Sequence, residues 1–218
     1  MFPRAQGALI GIASVVLMSF GTAHAATGQY SIGGNLGVGF YSGGSFNNSL
    51  AASGYKKVSQ GWEYGGSLRY GISDRVALDY EVLNMNGKGR TKTVTPEFQA
   101  ESNGIATPVS LYYELSKNDS YSFGIFGGAG PMFKTSWSTK QGPMSAESRT
   151  KTALYAHAGF EGQWKLSKKF AVTSRALARI AKAKQLEETT DPATRFDVSM
   201  SGTAFSLGFR AFFGGEGY

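Results

Sequence analysis

The chain has 218 residues, of which 41% are hydrophobic, 13% aromatic and 17% charged, and its formal net charge is +7. It contains 30 glycines and no cysteine, which excludes disulfide frameworks, zinc–thiolate sites, iron–sulfur clusters and thiol nucleophiles. The aromatic content is too high for a disordered chain, and the glycines do not follow the period of collagen. The composition therefore predicts a folded protein rich in glycine and aromatic residues.

The first 25 residues have the three parts of a secretory signal peptide. Arg4 supplies the positive n-region, residues 8–20 form the apolar h-region, and Ala23-His24-Ala25 is a small-x-small cleavage site. The apolar run of about 13 residues is well short of the roughly 20 that a membrane-spanning helix needs. We therefore predict a cleaved signal peptide at residues 1–25 and one mature domain at residues 26–218.

The mature sequence alternates between apolar residues and small or polar residues with a period of two. Eight such runs can be counted, and their apolar faces begin at Tyr30, Trp62, Val76, Ile105, Tyr121, Leu154, Phe170 and Phe205. Runs of about ten alternating residues, separated by turns, are typical of transmembrane β-barrels. The pattern predicts an all-β fold, an eight-stranded antiparallel transmembrane β-barrel.

The predicted connections alternate between short and long, as in the up-and-down meander of an outer-membrane barrel. The short ones are residues 73–75, 117–120 and 167–169, and the long ones are about 43–61, 87–104, 138–150 and 187–195. A weak repeat of aromatic, any, aliphatic, Ser and charged residues leads into each short turn, at residues 70–74, 113–117 and 164–168. We interpret the repeat as a series of hairpins with four external loops.

Two segments fit the pattern less well. Residues 176–188 are rich in helix formers, but alternation continues through Ala176, Ala178 and Ile180, so we predict a strand that frays past Lys182. Near the end of the chain, apolar residues move from even to odd positions around Gly202. This change predicts a β-bulge at Gly202 that exchanges the two faces of the strand.

With these features, the C-terminal stretch Ser206-Leu-Gly208-Phe-Arg-Ala211-Phe-Phe213 makes the chain resemble the small eight-stranded outer-membrane barrels of Gram-negative bacteria, the OmpA-like and opacity-protein-like surface antigens. The resemblance implies location in the cell outer membrane and a non-enzymatic structural or surface-interaction role. It also implies that Ser206, Gly208, Ala211 and Phe213 form the β-signal read by the barrel-assembly machinery. Because residues 214–218 follow Phe213, either Phe213 or Tyr218 could be read as the terminal residue.

Parity places ten charged side chains in the barrel lumen. They are Glu63, Arg69, Asp79, Glu81, Glu114, Glu161, Lys165, Arg175, Arg179 and Arg210. An eight-stranded lumen is just wide enough for side chains or one small ligand, and buried charges must be paired. We interpret these groups as a salt-bridge plug, with a narrow ion path or a small-ligand site as alternatives. Two glycine runs, at residues 33–39 and 127–130, would make room for bulky lumen side chains.

His157 is the only histidine of the predicted mature chain, and it faces the lumen with Glu161 four residues on. In the lipid A deacylases, which are also eight-stranded, a His-x-Ser pair and a Glu form a triad, but here Gly159 stands at the serine position, so the matching nucleophile is absent. A serine from a neighbouring strand could still supply the nucleophile. We predict a structural His157, no catalytic residues, no cofactor and no metal, and keep a lipid-modifying enzyme as the alternative.

Basic side chains cluster at the bases of the predicted loops, at Lys56, Lys57, Lys88, Arg90, Lys92, Lys140, Arg149, Lys151, Lys182 and Lys184. An exported barrel is a poor candidate for binding nucleic acid, so we consider lipid as the partner. Lys182 and Lys184 continue the lipid-facing parity of Ile180, which suggests contacts with lipopolysaccharide; ordinary solvated loop charge is the alternative.

Aromatic residues are predicted at both membrane interfaces, where Trp and Tyr are enriched. We assign Tyr70, Tyr113 and Trp164 to the inner girdle. Tyr41, Tyr64 and Trp137 are candidates for the outer girdle. The complete sequence prediction is thus a monomeric barrel, anchored at both interfaces, in contact with outer-membrane lipid.

Overall fold

The structure is a computed structural model and describes residues 28–213. The predicted signal peptide and residue 218 lie outside the described residues. The elements in chain order are β1 (Tyr30–Tyr41), α1 (Ser45–Ala52), β2 (Gln60–Gly71), β3 (Val76–Thr91), β4 (Phe98–Ala106), β5 (Val109–Lys117), β6 (Tyr121–Gln141), β7 (Met144–Glu147), β8 (Lys151–Lys165), β9 (Phe170–Glu187), β10 (Arg195–Ser199) and β11 (Gly202–Phe213).

The strands form a closed antiparallel ring. β1 pairs with both β2 and β11, so that Tyr30 lies opposite Tyr70 on one side and Phe213 on the other. Three pairs of segments each fill one position of the ring: β4 with β5 along β3, β7 with β8 along β6, and β10 with β11 along β9. The ring therefore has eight strand positions, which confirms the predicted fold class.

The two ends of the barrel differ. One end, here called the turn end, carries the short connections 72–75, 118–120 and 166–169, together with the first residue of β1 and the last residue of β11. The opposite end, the loop end, carries α1 and the connections 92–97, 142–143 and 188–194. β3, β6 and β9 have 16, 21 and 18 residues, whereas about 9 to 11 tilted residues cross a bilayer. These strands therefore project well past the membrane at the loop end.

The long strands correct the predicted loop boundaries. The connections predicted at residues 87–104 and 138–150 are mostly strand, and their non-strand tips are residues 92–97 and 142–143. β9 also continues to Glu187, so the predicted fraying past Lys182 is wrong. The physical reason is that Ala181, Ala183 and Leu186 point inward and pack in a buried apolar cluster at the loop end. This burial stabilises strand structure that local propensity alone does not predict.

The predicted exchange of faces at Gly202 is also wrong. Ser199 pairs with Lys182 and Gly202 pairs with Arg179, so one register continues from β10 into β11. Apolar residues occupy even positions before Gly202 because the lumen itself is apolar at the loop end, and odd positions after it because those face lipid. The bulge lies instead opposite Asp197, where Gln185 of β9 has a φ of 52°.

The first external connection contains a helix that the sequence analysis did not predict. Phe46 and Leu50 of α1 are buried against the loop end of the barrel. Asn47 holds the following segment in place, because its amide donates to the Val58 carbonyl at 2.8 Å and its carbonyl accepts from the Val58 N–H at 2.9 Å. No helix in the described part of the chain is long and apolar enough to cross a membrane.

Candidate functional site

The ten charged side chains predicted in the lumen fall into two groups. Eight of them are almost completely buried: Glu63, Arg69, Asp79, Glu81, Glu161, Arg175, Arg179 and Arg210. They occupy inward positions of β2, β3, β8, β9 and β11, as the alternation of side chains along a strand requires. Four carboxylates and four guanidinium groups thus meet inside the barrel.

Glu161 is the centre of this network. Its carboxylate accepts hydrogen bonds of 2.8 and 2.9 Å from Arg69 and one of 2.8 Å from the amide of Gln163. Arg175 Nε lies 3.2 Å away and Arg210 Nη2 3.9 Å away. A fully buried carboxylate requires such partners, because its removal from water is costly and only close opposite charges and hydrogen bonds offset that cost.

Asp79 and Glu81 of β3 extend the network around the barrel. Asp79 Oδ2 accepts a hydrogen bond of 2.7 Å from Arg69 and lies 3.6 Å from Arg210 Nη2. Glu81 forms an ion pair with Arg175. The acids and bases therefore join neighbouring and opposite strands, and each pair constrains the register in which those strands meet.

Aromatic rings line part of the network. The guanidinium carbon of Arg69 lies 4.1 Å from the centroid of Tyr112, and that of Arg175 lies 4.2 Å from the centroid of Phe126. Attraction between a cation and an aromatic face is stronger when the cation is removed from water. The rings therefore help to stabilise the two guanidinium groups in addition to their carboxylate partners.

A separate pair lies closer to the loop end. Arg179 donates through both terminal nitrogens to Glu63, with Nη1 2.7 Å from Oε2. The hydroxyl of Tyr41 donates to the same carboxylate at 3.3 Å. The assignment of Tyr41 to the outer girdle is therefore wrong, because it holds an inward position of β1 and its hydroxyl has a buried partner. An added Cβ at Gly39 would overlap both charged groups, so this glycine makes room for them.

Glu114 and Lys165 do not join the buried network but lie near the turn end. Glu114 is 3.8 Å from Lys117, and the ammonium group of Lys165 donates to the carbonyl of Asn118 at 3.2 Å. Both line a cavity of about 70 Å³, which is also lined by Arg69. Solvent at the turn end can therefore approach the lower edge of the network.

The loop end of the lumen is filled with apolar side chains instead of charges. Four of the largest of these side chains are completely buried: Met85, Met132, Tyr155 and Met200. α1 covers them, and its Phe46 ring packs on Trp137 with centroids 5.2 Å apart. The assignment of Trp137 to the outer girdle is wrong, because β6 carries this residue beyond the lipid-facing wall and turns it inward.

His157 makes a contact that its sequence neighbours do not predict. Its Nε2 lies 2.7 Å from Ser110 Oγ, and its Nδ1 lies 3.1 Å from the Tyr155 hydroxyl. Ser110 and His157 are both paired with Gly128 of the strand between them, so the missing side chain of that glycine lets them meet. A serine beside a histidine is the start of a nucleophilic site. Here both side chains are buried, and neither lines the turn-end cavity.

The outer wall carries the predicted membrane-facing residues. Tyr70 and Trp164 are exposed and Tyr113 is partly exposed, all towards the turn end. Tyr64 is also exposed on the outer wall. Lys182 and Lys184 follow Ile180 on the same face of β9. This arrangement places an apolar wall between interfacial aromatics and a basic rim.

The predicted assembly signal lies on β11, which closes the ring against β1. Its polar residue and its glycine, Ser206 and Gly208, hold inward positions. Ala211 and Phe213 hold outward positions, and the Phe213 ring is 54% exposed. The stretch therefore presents its hydrophobic residues on the surface that faces the membrane.

Comparison with solved structures identifies similar barrels. OprG of Pseudomonas aeruginosa is 13% identical with a TM-score of 0.53, over 87% of this chain and 98% of that one. A major outer membrane protein of Thermus thermophilus is 9% identical with a TM-score of 0.51, over 84% and 99%. Ail of Yersinia pestis, in complex with the heparin analogue sucrose octasulfate, is 14% identical with a TM-score of 0.50, over 86% and 99%. At these identities the likeness shows the fold alone.

No curated protein sequence was found to match the chain. The family model of the outer membrane protein beta-barrel domain matches residues 12–213. This match agrees with the closed ring, the apolar outer wall and the unequal ends of the structure. The turn end is then periplasmic and the loop end external, as in other barrels of this kind. The chain belongs to the outer membrane protein β-barrel domain family, and its location is the outer membrane.

Proposed function

We propose that the protein is a non-enzymatic barrel with a closed lumen, which acts as a structural or surface-interaction protein of the outer membrane. The observation that supports this proposal is the filling of the lumen. The ion-pair network occupies its periplasmic part, and the apolar cluster under α1 occupies its external part. With the lumen filled, the outer wall and the external loops are the surfaces left to meet a partner.

The proposal includes a monomer that the barrel-assembly machinery inserts. Every barrel position pairs with two neighbours, so the ring offers no open edge strand for a second copy. Light scattering of the detergent-solubilised protein, corrected for bound detergent, tests the oligomeric state. A mass of one chain is expected, and a mass of two or more chains would contradict this part of the proposal.

The alternative of a narrow pore is tested by conductance in planar lipid bilayers. We expect no current steps above those of the bare bilayer, because ions would have to cross both the paired charges and the apolar cluster. The folded state of the same sample is checked by its boiling-dependent gel mobility. Reproducible current steps from folded protein would contradict the closed lumen.

The alternative of a lipid-modifying enzyme rests on Ser110 and His157, so the variant Ser110→Ala tests it. Purified protein is incubated with lipid A and with phospholipid, and loss of acyl chains is followed by mass spectrometry. We expect no loss with either the natural protein or the variant, because a substrate would have to displace packed lumen side chains. Turnover by the natural protein that disappears in Ser110→Ala would establish an enzyme.

The two forms of the proposed role can be separated in cells. A strain without the protein is complemented with the natural chain or with a chain in which residues 188–194 are replaced by a short glycine linker. If both restore resistance to detergent, the role is structural; if only the natural chain restores adhesion or surface binding, the role lies in the loop. Failure of the natural chain to change either property would contradict the proposal.

A further inference from the structure

A groove runs along the lipid-facing side of the barrel at β9. Its floor consists of small residues, Gly162, Ser174 and Ala176. One wall is formed by Phe205 and Leu207 of β11, and the opposite wall by Phe123 and Phe160, whose rings stack with centroids 5.9 Å apart. The groove has a volume of about 790 Å³, is open to the membrane, and continues past β11 over β1 and β2, where Phe40 and Trp62 line it. Its shape and chemistry fit a hydrocarbon chain.

The floor strand leads from this groove to the external rim. β9 enters the membrane at Phe170, and the eleven residues from there to Ile180 match the number that a tilted strand needs to cross a bilayer. Ile180 is 70% exposed. Lys182 and Lys184 come next on the same face, so their ammonium groups lie at the level of the outer-leaflet headgroups.

The rim is basic beyond these two lysines. Lys134 is exposed at a bulge of β6, two strand positions along the wall from β9, and has a φ of 50°. Asp197 lies 3.2 Å from Lys182 and neutralises part of its charge. Lys184 forms no ion pair within 4.0 Å among the described residues. The rim therefore retains positive charge on the same face of β9 as the apolar groove, with Ala178 and Ile180 between the groove floor and Lys182.

We propose that the groove and the rim together bind one molecule of lipopolysaccharide. An acyl chain of its lipid A lies along β9 between the phenylalanine walls, and a phosphate of lipid A contacts Lys182 and Lys184. Each lysine near an anionic membrane surface contributes favourably to binding. The proposal depends on the outer-membrane location but not on the closed lumen, so a conducting barrel would leave it intact.

Binding is measured by native mass spectrometry of the detergent-solubilised, lipid-free protein titrated with bis-phosphorylated and monophosphoryl lipid A of the same acyl composition. We expect the natural protein to prefer the bis-phosphorylated lipid. In the variant Lys182→Gln/Lys184→Gln, affinity should fall on the order of tenfold and the preference should disappear. The matched control is Lys56→Gln/Lys57→Gln, which removes two exposed charges from the first external loop, away from the groove.

The groove is tested separately by Ala176→Phe, which fills it between Phe205 and Phe160. This variant should weaken the binding of both lipids to the same extent. Ala129→Phe, on the lipid-facing wall outside the groove, should leave the binding of both lipids unchanged. Boiling-dependent gel mobility confirms that each variant is folded. Equal affinity of the natural protein for both lipids, or an equal effect of the rim variant and its lysine control, would overturn the phosphate contact. Unchanged binding in Ala176→Phe would overturn the groove.

Discussion

Arg69 and Glu161 are 92 positions apart in the chain and meet inside the barrel through two hydrogen bonds of 2.8 and 2.9 Å. One belongs to β2 and the other to β8, which are not neighbours in the ring. Their contact therefore crosses the lumen rather than following the wall. It links the early and late parts of the chain through a buried ion pair.

The first prediction concerns this ion pair. Glu161→Gln should lower the free energy of unfolding by about 3 to 5 kcal/mol, because removing one charge of a buried pair leaves its partner uncompensated. Urea unfolding in lipid vesicles measures the effect. Glu101→Gln is the control, since Glu101 and Lys88 form a 2.9 Å pair at the surface that should contribute less than about 1 kcal/mol. Equal losses in both variants would contradict the importance of burial.

The second prediction concerns the glycine between Ser110 and His157. Gly128→Ala places a Cβ where the Ser110 hydroxyl lies, so that hydrogen bond should break and stability should fall by about 1 to 3 kcal/mol. Gly66→Ala is the control, because its added Cβ would meet only the Gly33 carbonyl oxygen, at 3.6 Å. Histidine NMR shifts should change in Gly128→Ala alone. An unchanged spectrum would show that the contact across β6 does not depend on this glycine.

The third prediction concerns acid titration in the external connection 188–194. Asp191 accepts hydrogen bonds from the Thr194 hydroxyl at 2.6 Å and the Ala193 N–H at 3.1 Å, and these bonds lower its pKa below the ordinary value of 3.8. Because the folded pKa is depressed, the local order is present above the ordinary pKa and is lost as pH falls through the folded value.

Carboxyl NMR titration checks this prediction. Thr194→Val removes the larger cause of the shift and should move the Asp191 midpoint up towards 3.8. Ser201→Ala, which changes a distant hydroxyl that bonds the Ala181 backbone, should leave the midpoint unchanged. A midpoint that does not move in Thr194→Val would contradict the assigned hydrogen bond.

The fourth prediction concerns assembly. If Phe213 is read as part of the assembly signal, Phe213→Ala should reduce the fraction of heat-modifiable protein in the outer membrane several-fold. Phe209→Ala is the matched control, since both rings face lipid from β11. Phe209 is 62% exposed and Phe213 is 54% exposed. Both variants should refold equally well in detergent. Equal yields of the two variants in cells would argue against a signal at Phe213.

Strand positions and lumen charges were predictable because a period of two is visible in one sequence. Glu63, Arg69 and Glu161 could be placed inside the barrel from parity alone. The ion-pair partner of each charged residue could not be predicted, because parity does not give the register between strands. Ser110 was missed for the same reason: its contact with His157 depends on two registers that meet at Gly128.

The external end was predicted less well, since period-two patterns are interpreted by assuming that apolar residues face lipid. Above the membrane that assumption reverses, and Val198 and Met200 point inward beneath α1. On β3 and β4 the outward positions beyond the membrane are polar, as at Asn86 and Asn103. In the sequence, this polar composition is typical of a loop. The two asparagine side chains bond to each other on the outside of a continuous sheet.

The placement of Arg210 on β11 has a consequence for the order of folding. This arginine lies 3.6 Å from Asp79 and 3.9 Å from Glu161, and it belongs to the strand that closes the ring. Contacts between residues so distant in sequence are slow to form, because a long segment of chain must first be brought together. Until β11 docks, two buried carboxylates lack one of their cations. Charge balance inside the barrel is therefore completed only when the last strand is in register, which makes ring closure a cooperative step.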